Sequence, residues 1–242
     1  MPDEGNRIYR SPWDGFPDVI VQTTIAKLRS NRAYAAVKRG DEEAAFELVR
    51  ALVKPQKIAF QFDAVIPVAQ FDRGWPNALP LVYAAEIARY FDADLSLGIV
   101  QRNIVSHTGA GATTRILGQP VFMGELEVGS RILIVDDVVT YGSTLANLRG
   151  WIQKQGATVV GPTTLAAAFG ATKLALPESI YSRLVERFPG HAENLTTRCF
   201  TNREARFLCG LKRVEDIDDL VQTAVEMKQR RGFDNRYERD ID

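Results

Sequence analysis

The stretch Arg131-Ile132-Leu133-Ile134-Val135-Asp136-Asp137-Val138-Val139-Thr140-Tyr141-Gly142-Ser143-Thr144 decides how this chain is read. Ile132 to Val135 form an uninterrupted aliphatic run, the pattern of a strand buried on both faces. Asp136 and Asp137 place two ionised carboxylates at the end of that strand. The chain then turns at once into a helix with Leu145, Leu148 and Ile152 on one face. In open α/β sheets, ligands sit at the edge where such strands end. The backbone N–H groups from Thr140 to Thr144, together with the partial positive charge of a helix start, form a cradle for phosphate. Thr140, Ser143 and Thr144 can add hydroxyl donors, and Gly142 permits positive φ and close approach of an anion. Carboxylates beside a phosphate repel the ligand unless they face hydrogen-bond donors or a metal. A sugar with vicinal hydroxyls meets the first condition and a magnesium-bound diphosphate the second. The residues therefore point to a sugar phosphate.

Outward from this stretch, short apolar runs alternate with helical ones. Phe62 to Val68 reads as a buried strand, followed by a Gly/Pro-bearing loop and a helix with Leu81, Ala84, Ala85, Ala88 and Phe91 at helical spacing. Leu95 to Val100 reads as a second strand, and Thr158 to Ala168 as the strand after the central helix. Strand, helix, strand, helix predicts a parallel α/β sheet with helices on both faces. The segment from Gly118-Gln119-Pro120 to Gly129 reads as a hairpin-like lead into the main strand. Residues 103–120 contain Gly109, Gly111 and Gly118 and few apolar residues, and a loop of that length in a compact domain is usually functional.

The flanks read as helical. Residues 18–38 carry Val19, Ile20, Ile25, Leu28, Ala35 and Val37. Asp41 then opens a second helix with Glu42 and Glu43 in its first turn, ending near Val53 because Pro55 follows. Beyond Gly170, Pro177-Glu178 suits a first helical turn, Thr201-Asn202-Arg203-Glu204 has the form of a capping box, and residues 215–231 read as a third helix. The chain thus divides into a helical hood (1–58), an α/β core (59–170) and a helical appendage (171–242).

Composition excludes several classes. The 242 residues are 45% hydrophobic and 25% charged, which fits one main core plus an appendage and excludes whole-chain disorder, collagen or coiled coil. Thirty basic residues balance thirty acidic ones, so no global field draws a polyanion, and nucleic-acid binding is disfavoured. Cys199 and Cys209 lack a metal-ligand pattern and read as buried thiols. A polar, acid-bearing start and the lack of a long apolar run predict a cytoplasmic protein without membrane contact.

The stretch from Ile132 to Thr144 resembles the phosphoribosyl-diphosphate (PRPP) motif of the type I phosphoribosyltransferases: an apolar strand, two acidic residues, two apolar residues and a Thr/Ser/Gly loop. The resemblance implies that fold, with Asp136 and Asp137 on the ribose hydroxyls and the loop Thr140, Tyr141, Gly142, Ser143 and Thr144 on the 5′-phosphate. It also places Ala69, Gln70 and Arg73 at a diphosphate-binding loop and makes residues 103–120 the catalytic lid. The Ser106-His107-Thr108-Gly109-Ala110-Gly111 stretch of that lid resembles the lid of orotate phosphoribosyltransferases, with His107 and Arg115 as catalytic candidates. Mg²⁺ would be carried mainly by PRPP, with no dedicated protein cage.

Three departures stand beside the match. Tyr141 occupies a position usually held by Thr, Ala or Ser. The lid has no lysine, and Arg102 and Arg115 are its cations. Thr140 stands where hypoxanthine-type enzymes have an aspartate. A receiver domain also opens on a strand ending in two acids, yet no Asp occurs between Asp137 and Asp216 to accept a phosphoryl group. The expectation is a Mg²⁺-dependent phosphoribosyltransferase acting on PRPP and a nitrogen acceptor, by family analogy a homodimer. The alternative is a non-catalytic PRPP- or nucleotide-binding regulator of the same fold.

Overall fold

The computed structural model describes residues 9–69, 71–72, 75–102, 119–187 and 199–211, with only the backbone described at 71–72 and 75–76. In chain order these hold β1 (Ile20–Val21), α1 (Ile25–Ser30), α2 (Tyr34–Val37), α3 (Glu42–Leu52), β2 (Ala64–Pro67), β3 (Phe71–Asp72), β4 (Trp75–Pro76), α4 (Ala78–Phe91), β5 (Asp94–Leu95), β6 (Val100–Gln101), β7 (Phe122–Met123), β8 (Arg131–Val139), α5 (Ser143–Lys154), β9 (Thr158–Ala167), α6 (Glu178–Arg187) and α7 (Asn202–Gly210). Five strands form one sheet in the order β1-β9-β8-β2-β5, every neighbouring pair parallel. This is the α/β architecture read from the alternation.

The aliphatic runs are continuous because both faces of the sheet are covered. Val65, Leu133 and Val135 pack with Leu48, Val49, Leu79, Tyr83 and Ile87 of α3 and α4. Their neighbours Ala64, Ile66, Ile132 and Ile134 point the other way, into a layer with Leu145, Leu148 and Ile152 of α5 and Trp13 of the N-terminal segment. A smaller apolar core joins Ile180 and Leu184 of α6 to Ala205 and Leu208 of α7. Among the described residues no helix is long and apolar enough to cross a membrane.

The N-terminal segment departs from the helical reading of 18–38. Ile20 and Val21 are a strand, paired with Thr163 and Thr164 at the edge of β9. Gln22, buried behind it, accepts from Lys54 N at 2.8 Å and donates toward Thr163 Oγ1 at 3.4 Å. Only α1 and the single turn α2 of that stretch are helical. α3 starts and stops as read: Asp41 accepts from Ala44 N at 2.9 Å and Val53 is its C-cap.

Two further readings need correction. Leu95 to Val100 is not one strand. Asp94–Leu95 extends the main sheet beside β2, whereas Val100–Gln101 leaves it to pair antiparallel with Phe122–Met123. The lead into β8 is accordingly not a hairpin closed on itself, because its strand pairs with β6. The predicted helix 215–231 lies outside the described residues.

Residues 9–16 run along α5. Gly150 has no side chain where the backbone of Tyr9 and Arg10 passes. Arg149 donates to Ser11 O at 3.0 Å and Pro12 O at 2.9 Å, with its guanidinium 4.8 Å from the Trp13 ring and 4.4 Å from the Phe16 ring. Burial lowers the pKa of Arg149 to about 10.

Candidate active site

Asp136 and Asp137 lie within β8, two residues before its end at Val139, and their residues are 6% and 9% exposed. Asp136 Oδ1 accepts from Asp137 N at 2.8 Å, and Asp137 Oδ1 accepts from Val138 N at 2.6 Å. Burial, with the charge of Asp137 next to it, pushes the Asp136 carboxyl well above the ordinary carboxylate range, against the hydrogen bond from Asp137 N and the Lys38 charge. Low solvation thus disfavours the charged form of Asp136, a cost that donors on a bound ligand would offset.

Asp137 has two partners that the sequence did not signal. Asn77, which caps α4 through Leu79 N at 3.4 Å, donates Nδ2 to Asp137 Oδ2 at 3.1 Å. Lys38, just past α2, brings Nζ to 3.6 Å from the same oxygen. No local pattern marks Lys38, since it follows a four-residue helix and its side chain is 41% exposed. α2 packs on α3, and α3 on α4, so the three helices carry this ammonium to the end of β8.

Gly142 is the N-cap of α5; its φ of +79° is left-handed, and it has no side chain with which to cap the helix. An anion placed there meets the positive end of the helix dipole. A Cβ at Gly142 would lie 2.6 Å from Leu174 Cδ2 and 3.2 Å from Thr201 Cγ2. Gly142→Ala is therefore expected to lower stability by about 1–3 kcal/mol from backbone strain alone, with the Leu174 clash added. A thermal melt at the wild-type value would refute this account of the turn.

The hydroxyls of the loop differ in their engagement. Ser143 is buried and donates to the Glu204 carboxylate of α7, so of the three expected hydroxyl donors this one already has an acceptor within the protein. Thr140 and Thr144 are half-buried. Tyr141 uses its ring for packing, edge-on to Phe207 at 6.4 Å with the Arg203 guanidinium 4.9 Å from its centroid. Its departure from a small residue is thus tied to the docking of α7.

Glu204 is fully buried. Its oxygens accept from Arg10 at 2.7 and 2.9 Å, from Ser143 and from Thr201 N at 2.9 Å. Burial alone would raise its pKa, but Arg10 and these donors outweigh burial and hold it below the ordinary glutamate value. Arg10 also donates to Asn147 Oδ1 at 2.7 Å and Gln119 Oε1 at 2.8 Å. The capping box at Thr201 is present as read, but its contact with the loop and with Arg10 could not be seen locally.

Of the other expected site residues, Ala69 lies two residues beyond β2, where its carbonyl accepts from Gln101 N at 3.0 Å. Gln70, Arg73, His107 and Arg115 lie outside the described residues. Cys199 and Cys209 are both buried, as expected, and burial raises both thiols. Phe169, two residues beyond β9, is fully exposed; the turn begins where Ala168 N donates to Val139 O at 2.9 Å, so it stands at the same sheet edge. Among the described residues no three His, Cys, Asp or Glu side chains gather as a metal site.

A family model for the phosphoribosyl transferase domain matches residues 77–187. Protein TraN of Escherichia coli is 32% identical over 189 residues, covering 75% of this chain and 42% of that protein. An uncharacterized protein of Haemophilus influenzae is 32% identical over 154 residues, covering 60% of this chain and 34% of that protein. The chain thus spans less than half the length of either relative. Among solved structures, orotate phosphoribosyltransferase from Aeropyrum pernix is 25% identical with a TM-score of 0.33, covering 55% of this chain and 64% of that one.

Proposed function

We propose that the protein, whose residues 77–187 match the family model for the phosphoribosyl transferase domain, transfers the 5-phosphoribosyl group of PRPP to a nitrogen acceptor and releases diphosphate. The observation that carries the reading is the sequence of groups along one edge: a buried acidic pair, then a left-handed glycine as N-cap, then the start of a helix. Carboxylates suit a diol, and the amides of a helix start suit a phosphate ester.

In the reaction the bond from ribose C1 to the diphosphate oxygen breaks, a bond from C1 to the acceptor nitrogen forms, and the acceptor's proton leaves to solvent or a base. Positive charge develops at the ribose ring as the diphosphate departs. Asp136 and Asp137 hold the ribose hydroxyls and face that charge, while the 5′-phosphate rests on the amides of Tyr141 to Thr144. Arg73 and Arg115 would meet the diphosphate, and His107 the acceptor. Mg²⁺, held chiefly by the ligand's own oxygens, would neutralise the leaving group. Phe169, exposed at the same edge, would offer the acceptor a flat apolar surface.

Lys38 has a defined part in this reading. PRPP is a polyanion, and two carboxylates beside it repel it; the Lys38 ammonium offsets that repulsion. Lys38→Met is expected to change stability by no more than about 1 kcal/mol, because the pair is partly exposed. PRPP binding is expected to weaken several-fold, with a shallower salt dependence than in the wild type. Equal affinities in calorimetric titrations would remove Lys38 from the site.

The test of the function is the melting temperature with PRPP and Mg²⁺, beside the Asp136→Asn/Asp137→Asn variant, followed by an assay of diphosphate release with a panel of nitrogen acceptors. A ligand-induced rise confined to the wild type, with release, supports transfer. Binding without release from any acceptor would favour the regulator, and no rise at saturation would end the PRPP reading.

A further inference from the structure

Thr201 and Glu204 touch the loop from one side only. Thr201 Oγ1 donates to Tyr141 O at 2.5 Å. The Tyr141–Gly142 peptide is trans, since the described chain contains no cis bond, and in a trans peptide the C=O and the following N–H point in opposite directions. The Gly142 amide therefore points away from α7. Leu174 and the Thr201 methyl pack against the Cα of Gly142, and Glu204 draws the Ser143 hydroxyl to the same side. Three consecutive loop residues are thus held on their carbonyl and side-chain face, with the amide of Gly142 directed to the other.

The same atoms also start α7. Thr201 Oγ1 accepts from Glu204 N at 3.2 Å while it donates to Tyr141 O, and Glu204 Oε2 accepts from Thr201 N while Oε1 accepts from Ser143. One hydroxyl gives and takes one hydrogen bond, and one carboxylate serves both the helix and the loop. The first turn of α7 and the loop at Tyr141 and Ser143 thus share the same two side chains. Asn202 N, donating to Leu174 O at 2.9 Å, ties the segment before α6 into this arrangement.

We propose that Thr201 and Glu204 are positioning residues for the anion-binding loop, acting through Tyr141 and Ser143, so that phosphate occupancy of the loop and docking of α6–α7 stabilise each other. The phosphate half of this statement rests on the function proposed above. A loop that must present amides within hydrogen-bond distance of a phosphate loses affinity when its backing is removed. The binding step is affected rather than the chemical step, so the dissociation constant and KM rise while kcat at saturation holds. The appendage is thereby part of the phosphate site, and deleting it should abolish phosphate binding rather than spare it.

The experiment compares the full chain with Thr201→Val, Thr201→Ser and Ser143→Ala. In the ligand-free protein, amide exchange over 140–148 reports the first turn of α5, whose opening hydrogen bond is Ala146 N to Gly142 O at 2.9 Å. Thr201→Val is expected to speed exchange there and to weaken binding of PRPP with Mg²⁺ about three- to tenfold. Thr201→Ser is expected to restore both to within about twofold. Ser143→Ala leaves the α7 cap intact and is expected to weaken binding by about threefold. Saturating PRPP is expected to slow exchange over 201–210 in the wild type. Wild-type exchange over 140–148 in both Thr201→Val and Ser143→Ala would overturn the positioning role, as would unchanged affinity in both variants. If the wild type binds neither PRPP nor inorganic phosphate, the phosphoribosyl reading fails, and the exchange comparison still decides whether these residues set the loop.

Discussion

Replacing Arg10 by alanine is expected to lower stability by about 3–5 kcal/mol, the loss that follows when a buried charge is left without its partner. For a chain of this size that is a fall in Tm of about 6–20 °C, at 2–4 °C per kcal/mol. The size follows from where the pair lies. The Glu204 side chain is 0% exposed and that of Arg10 13%, and the guanidinium grips both carboxylate oxygens, the bidentate geometry in which Arg and Lys are not equivalent. Arg10→Lys should retain the charge but lose the fork, giving an intermediate fall. Arg10→Ala/Glu204→Gln should recover part of the loss, because the double variant leaves no unpaired charge, and a double-mutant cycle measures that recovery. Additive single losses would show that the pair is not coupled.

Glu204 has a pKa below the ordinary glutamate value when folded. Its contribution to stability is present above the unfolded value and is lost as pH falls through the lowered folded value. The docked C-terminal unit is therefore expected to survive mild acid, and in Arg10→Ala to be released at higher pH than in the wild type. Melts over a pH series, read with the amide exchange of 201–210, check this.

The second large effect is the response to ligand. PRPP with Mg²⁺ at a hundred times its dissociation constant is expected to add about 2.7 kcal/mol, a rise of about 5–10 °C. The rise should vanish in Asp136→Asn/Asp137→Asn. The unliganded single variant Asp136→Asn is expected to move the other way. Asp136 has a raised folded pKa through burial and the charge of Asp137, so ionising it opposes folding as pH climbs through the unfolded value toward the folded one. An asparagine carries no charge to desolvate and can still accept from Asp137 N. Asp136→Asn should therefore melt above the wild type at neutral pH and lose that advantage in acid, where the wild-type carboxyl is protonated. A variant that is more stable and yet unresponsive to PRPP would identify Asp136 as a site residue maintained at the expense of the fold. A less stable variant would mean that its carboxylate is structural.

Much of the candidate site was legible because its signals are local. An aliphatic run, two acids and a glycine-bearing turn before a helix are neighbours in sequence and remain neighbours in space, so Asp136, Asp137 and Gly142 could be placed from residues 131–144 alone. The caps of α3 at Asp41 and of α7 at Thr201 belong to the same kind, each a side chain bonded to an amide three residues on.

Other features depend on partners far along the chain. Ile20–Val21 is a strand because the edge of β9, 143 residues away, offers it hydrogen bonds; two residues carry no alternation from which to read it. Asp94–Leu95 and Val100–Gln101 go to different sheets because β2 and β7 claim them separately. Lys38 reaches Asp137, and Arg10 reaches Glu204, across 99 and 194 residues, and nothing near either cation announces its acid.

The sequence by itself determined the parallel sheet, the acidic pair and the glycine start of α5, since periodicity and chain adjacency express these directly. Only the tertiary structure decided the desolvation of Asp136, the engagement of the Ser143 hydroxyl and the backing of the loop by α7. The reason is that desolvation and long-range pairing depend on which surfaces meet once the chain is folded.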